Sequence, residues 1–231
     1  MYGLYGALLA KGQEVHLNVR YNPGVPCVAI YPEIAHGNPL EGQTVVRYIL
    51  NKPGIMTSSG VPGPGYFAPT DKKYYFSRLF GGTEKDKYLF LPILDLHLWK
   101  DQGKKRTKTV YFVGKGVNHN IHPLNSVLID RKLAQDQQAL ADLLNECTVL
   151  HSYDPVSAMT EIARLCGVKV VMHDYTYNRD EYDLKYEPGI NGMGWSKETD
   201  LDVSAFRERY TALQAQFDTD LDKFIEEMNN E

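Results

Sequence analysis

The chain has 231 residues, 43% of them hydrophobic, enough for one substantial core or two small ones, since domains commonly run to about 100–150 residues. Its formal net charge of −4, with Lys, Arg, Asp and Glu interspersed, offers no basic tract for a nucleic-acid backbone to neutralise, so no nucleic acid is expected as a partner. Cys27, Cys147 and Cys166 are widely spaced and form no CxxC pair, which argues against a disulfide framework and a structural zinc site, and for a reducing, cytoplasmic setting.

No apolar run approaches the roughly 20 residues a membrane span requires; a soluble protein is expected, with peripheral contact with a membrane left open. The opening "MYGLYGALLA" has neither a basic lead nor a cleavage site after it, and reads as a helix over 2–11 stopped by Gly12. "EVHLNVRY" then alternates as a strand running to a turn at "NPG". Helix followed by strand is the second half of a βαβ unit, so the chain is expected to open on an N-terminal domain that lacks its first strand. "VPCVAIYPEI" is a further strand. Asn38 reads as an N-cap with Pro39 at the first helical position, and "LEGQTVVRYILN" as the helix that follows.

Residues 55–68 are rich in Gly, Pro and Ser without periodicity and read as a loop. "YYFSRLF" and "KYLFLPIL" are short strand candidates, and the charged "WKDQGKKRTK" marks a domain junction near residue 100. Beyond it, "TVYFVGKG" is a buried strand ending in glycines, "DRKLAQDQQALADLLNEC" an amphipathic helix and "TVLHSY" a strand. "PVSAMTEIARLCG" then reads as a helix and "VKVVMHD" as a strand. Strands alternating with helices mean a parallel α/β sheet. The expected division is 1–100, 101–202 and a tail helix over 203–231. The tail's apolar stripe (Phe206, Tyr210, Leu213, Phe217, Leu221, Phe224, Ile225, Met228) is read as packing on a domain surface, with a break near "DTD". An exposed stripe would instead mark an interaction module.

In open parallel sheets, ligands sit at the carboxyl ends of the strands, where loops converge and helix N-termini point free N–H groups outward. Gly114-Lys115-Gly116 ends one strand there, allowing close backbone approach and adding a cation, a fit for phosphate or a plain turn. Asp154 with Pro155 reads as a helix start, and the first-turn amides near Ser157 and Ala158 are a second phosphate candidate. Glu161 lies one position from the buried face implied by Met159, Ile162 and Leu165, and a carboxylate there takes either a ligand such as the paired hydroxyls of a ribose or an ordinary solvated or ion-paired place. His119 and His122 form an HxxH with no evident third ligand, so no metal or other cofactor is expected. His36, in "AHGNPL", lies between a strand and the expected helix, either facing a cleft or as a plain loop histidine.

The strand with "GKG", the block "LADLLNECTVLHSYDPVSAMTEIARLCGVKVV", the loop with "GINGMGW" and the amphipathic tail together resemble the donor-binding half of bacterial GT-B glycosyltransferases that build surface polysaccharides and glycans. "YPEIAHGNPLEGQTVVRYILNKPG" is similar to a segment of the acceptor half. The resemblance implies an α/β fold of two Rossmann-like domains with parallel sheets flanked by helices, the first domain incomplete. It implies transfer of a sugar from a nucleotide-diphosphate sugar to a glycan or lipid-linked glycan acceptor; the alternative is a catalytically silent sugar-nucleotide-binding protein. By it, Glu161 would bind the ribose and Gly167 be the glycine that follows the acid. Lys115, with Gly114 and Gly116 beside it, and the amides of Ser157 and Ala158 would hold the diphosphate. Asp154 would be the upstream acid, one residue too close to Glu161 for the paired-acid pattern of retaining members, which leaves the stereochemical outcome open. His36 would be the cleft histidine of the acceptor half.

Overall fold

Short runs of β-branched and aromatic residues build two sheets, and every strand pairing in them is parallel. The computed structural model describes residues 1–17, 24–54, 67–81, 86–177, 179–182, 187–195 and 202–230. The chain divides into two compact units, one of Met1–Ile93, Lys185–Glu187 and Leu213–Glu231, the other of Leu94–Leu184 and Pro188–Ala212.

In the first unit, helix α1 (Tyr2–Ala10) buries Leu4 and Leu8, one turn apart, and ends where Gly12 takes a φ of +75°. A Cβ on Gly3 would lie 2.7 Å from Leu91 and 2.9 Å from Ile93, so the glycine lets α1 lie close to the chain there. The strand expected over "EVHLNVRY" does not form at 14–17, and the rest of that stretch lies outside the described residues. Strands β1 (Val28–Pro32), β2 (Thr44–Ile49), β3 (Lys72–Tyr75) and β4 (Lys87–Tyr88) form a four-stranded sheet in sequence order.

β2 corrects the expected helix over "LEGQTVVRYILN". Thr44, Val45, Val46 and Ile49 are β-branched and stiff at χ1, and the buried run Val46–Ile49 lacks the spacing of a one-faced helix. Asn38 is no N-cap. Its Oδ1 accepts from the Tyr31 hydroxyl (2.9 Å) and the Gly42 amide (3.0 Å), and its Nδ2 donates to the Gly42 carbonyl (2.8 Å), folding the β1–β2 connection into a tight loop. Residues 67 and 68 of the expected loop are irregular, and 55–66 lie outside the described residues. "YYFSRLF" is strand only to Tyr75, then a 3₁₀ turn at Arg78–Phe80, and "KYLFLPIL" is strand only at β4. The core joins Leu4, Leu8, Val46, Tyr48, Tyr74, Leu89 and Leu91 to Leu221, Phe224 and Met228 from the C-terminal helix.

The second unit is a five-stranded sheet in the order β6-β5-β7-β8-β9, from β5 (Lys108–Phe112), β6 (Val127–Leu128), β7 (Cys147–Ser152), β8 (Lys169–Met172) and β9 (Met193–Trp195). The helix expected over "DRKLAQDQQALADLLNEC" is two, α2 (Arg131–Gln135) and α3 (Gln137–Asn145). Asp130 caps the first by accepting from Leu133 N, and Asp136 caps the second by accepting from Ala139 N and interrupts the run with a non-helical ψ of 89°. Helix α4 (Ala158–Leu165) lies between β7 and β8, and Gly167, at φ +79°, turns the chain out of it. A Cβ on Gly167 would meet Asp101 at 2.6 Å and Arg106 at 2.9 Å. "GINGMGW" supplies β9, and buried Arg164 donates to the Gly189 carbonyl (2.6 Å) in the turn before it.

Helix α5 (Ser204–Asn229) is unbroken at "DTD" and forms no unit of its own: it gives residues to Ala212 to the second unit and from Leu213 to the first. Its stripe is occupied within the chain, with Phe206, Tyr210, Leu213, Leu221, Phe224 and Met228 buried and Phe217 packed on the first core. That removes the exposed apolar face an interaction module needs. Among the described residues no helix is long and apolar enough to cross a membrane.

Candidate functional site

The carboxyl edge of the second sheet gathers the most chemistry. Side chains alternate faces along a strand, so Tyr111 of β5, His151 of β7 and Val171 of β8, paired in register, share a face with Tyr153 and His173 just beyond the strand ends. Val110, Leu150 and Val170 occupy the opposite face and are wholly buried. The 14-residue connection between β5 and β6, residues 113–126, carries His119 and His122 to the polar face.

The contacts there form a network. His151 Nδ1 lies 2.9 Å from His173 Nε2 with the rings nearly coplanar at 9°, and Tyr153 stacks on His173 at 4.9 Å. His122 stacks on Tyr111 at 3.8 Å, and its Nδ1 lies 2.8 Å from the Tyr153 hydroxyl, which also accepts from the Ile121 amide at 3.0 Å. The phenol donates to His122 Nδ1 in one ring tautomer and accepts from it in the other. Burial, with His173 and His122 adding like charge, pushes His151 down to about 4. Burial likewise lowers His173, helped by His122 and His119. Both rings are therefore neutral at neutral pH.

The glycine turn adjoins this network. A Cβ on Gly116 would lie 1.7 Å from the Tyr153 carbonyl oxygen, and one on Gly114, which has a φ of +55°, 2.3 Å from Asp154 Oδ2. Only glycine lets the turn lie so close. Asp154 is 3% exposed, and its carboxylate accepts from Lys115 N (3.0 Å) and Val156 N (3.1 Å), tying the turn to the approach to α4. The exposed Lys115 side chain reaches the Val156 carbonyl at 3.4 Å.

The expected helix start at Asp154 and Pro155 is corrected. Ser157 is the N-cap, its Oγ accepting from Met159 N at 3.1 Å, and Ala158 is the first helical residue. Asp154 instead accepts from two backbone amides, one on each oxygen, and so organises the loop. The structure thus brings Gly114, Lys115, Gly116, Asp154 and, through Val156, the Ser157–Ala158 helix end to one edge. It sets Glu161 apart: that carboxylate lies in the first turn of α4, half-buried, and adds its charge to the burial that raises the Tyr210 hydroxyl on α5. His36 is exposed on the β1–β2 connection of the first unit, flanked by Ala35 and Gly37, whose carbonyls accept from Arg47 at 3.0 Å and 2.5 Å.

Sequence reasoning passed over His151, His173, Tyr111 and Tyr153. The signal was there: both histidines lie at the carboxyl ends of expected strands, where open α/β sheets bind ligands. Among the described residues no three His, Cys, Asp or Glu side chains gather as a metal would need. Comparison with protein-family models, curated proteins and solved structures gives no match.

Proposed function

We propose that the chain is a glycosyltransferase moving a sugar from a nucleotide-diphosphate sugar to a hydroxyl of a glycan or lipid-linked glycan, with the two units as the Rossmann-like halves of a GT-B enzyme. The observation that carries this reading is the glycine turn Gly114–Gly116, packed without room for a Cβ against Tyr153 and Asp154 at the carboxyl edge of an all-parallel sheet and beside the start of α4. Backbone of this kind, with a lysine and first-turn amides at hand, suits a diphosphate.

In the reaction, the bond from the sugar's anomeric carbon to the diphosphate oxygen breaks with its electron pair staying on that oxygen. A bond forms from the acceptor oxygen to the same carbon, and the acceptor's proton departs. Lys115 and the amides of Ser157 and Ala158 meet the charge that builds on the diphosphate, the electrostatic work that preorganised groups do best. Asp154 positions the turn. Glu161, on α4, takes the ribose.

Thermal stabilisation by a panel of nucleoside diphosphates tests the reading, because a ligand of the native state raises apparent stability. Lys115→Ala is expected to weaken binding of the diphosphate far more than of the bare nucleoside. A panel without any stabilising member would sink it. Release of free nucleoside diphosphate from donors separates a transferase from a silent sugar-nucleotide-binding protein.

A further inference from the structure

One atom of the histidine network has no place in the diphosphate site. His173 is 7% exposed, its backbone N–H donates to the Ser152 carbonyl at 2.8 Å and its Nε2 meets His151, yet its Nδ1 has no hydrogen-bond partner. The buried hydroxyl of Tyr177, in the same segment after β8, also has none. Unpaired buried polar atoms are rare in native folds because they give up water for nothing.

The chemistry narrows what fills the gap. One proton is shared across the contact between His151 and His173, so His173 Nδ1 is either a bare acceptor or an N–H donor. A hydroxyl serves both states, because it donates and accepts. A phosphate oxygen serves only the second. The two neutral rings offer an anion no charge, whereas Lys115 does.

The cover over this face is thin. Residues 117–121 and 123–125 of the β5–β6 connection are exposed on their outer side, and the layer is held over the rings by the Tyr153 hydroxyl and the stack of His122 on Tyr111.

We propose that His173 is a ligand-contacting residue whose Nδ1 hydrogen-bonds a hydroxyl of the donor's sugar. This rests on the reading of the second unit as a sugar-nucleotide site and names the group that recognises the sugar.

Two substitutions test it, because an asparagine amide reaches about where Nδ1 sits and a glutamine amide about where Nε2 sits. Calorimetry on the full chain would compare UDP-glucose, UDP-N-acetylglucosamine and GDP-mannose with UDP and GDP. His173→Gln keeps a partner for His151 and is expected to lose about tenfold in affinity for the preferred sugar nucleotide, with the matching diphosphate unchanged. His173→Asn is expected to keep most of the affinity. The reverse order, or equal losses for sugar nucleotide and diphosphate, overturns the contact and leaves the diphosphate reading standing. Should neither variant fold, ¹⁵N spectra of the wild-type histidine rings take over: the preferred sugar nucleotide must shift His173 Nδ1 more than its diphosphate does. If the wild type binds no nucleotide at all, the reading above fails on its own, and the same spectra with glucose, mannose and N-acetylglucosamine decide the contact, with an unmoved Nδ1 overturning it.

Discussion

Arg47 donates through Nε to Asp71 Oδ2 at 2.6 Å, and both side chains are almost wholly buried. Charges that deep are tolerated because each is paired and further satisfied: the guanidinium also holds the carbonyls on either side of His36, and Asp71 Oδ2 also accepts from Ala68 N at 3.0 Å. Asp71→Ala is expected to cost about 3–5 kcal/mol, because it strands a buried cation. The double change Arg47→Met with Asp71→Leu should be markedly milder. Urea midpoints measure both, and a loss under about 1 kcal/mol for Asp71→Ala would show that the cation finds water.

Acid should weaken the second unit through its neutral histidines. His151 takes its proton near 6.5 in the unfolded chain but only at about 4 in the fold, and His173 is shifted in the same direction. Between those values the unfolded state binds more protons, so stability is full above about pH 6.5, falls as pH drops toward about 4, and gains no further slope from His151 below that. His151→Gln should flatten the decline. An equally steep decline in that variant would assign it to other groups.

Gly116→Ala asks a Cβ to share space with a carbonyl oxygen of the neighbouring strand end, 1.7 Å away. The obstacle is backbone, so the turn itself has to move, at a cost of about 1–3 kcal/mol. Binding of a nucleoside diphosphate should fall together with stability. Retention of both in calorimetry and thermal melts would mean that the turn relaxes freely.

Tyr153→Phe removes one oxygen and leaves Ile121 N–H and His122 Nδ1 to water. Both lie on an accessible loop, so the expected loss is only about 1 kcal/mol. Amide exchange at Ile121 should speed up while that at Val110 and Leu150 in the sheet stays slow. Unchanged exchange at Ile121 would show that the stack of His122 on Tyr111 holds the loop by itself.

The second unit was the more legible half because its strands and helices carry distinct periods. "TVYF", "TVLHS" and "KVVM" lie in parallel strands, with Val110, Leu150 and Val170 wholly buried, and α4 buries Met159, Ala163 and Leu165. The first unit misled because no helix joins β1 to β2. Asn38 and Pro39 look like a helix start, yet the Asn38 amide closes a loop, a pairing with Gly42 and Tyr31 that local spacing does not reveal. At the site, the glycine turn was legible from composition. The positions of His151 and His173 at strand ends were legible too, but their contacts were not, since the network joins β5, β7, the residue after β8 and a long connection that meet only when the sheet registers.

Helix α5 imposes an order on synthesis. Leu221, Phe224 and Met228 complete a core whose other members, from Leu4 to Leu91, leave the ribosome far earlier. The first core is therefore completed only after every strand of the second sheet, through β9, has been made. A ribosome stalled before Leu213 would hold a nascent chain whose first core still lacks Leu221, Phe224 and Met228.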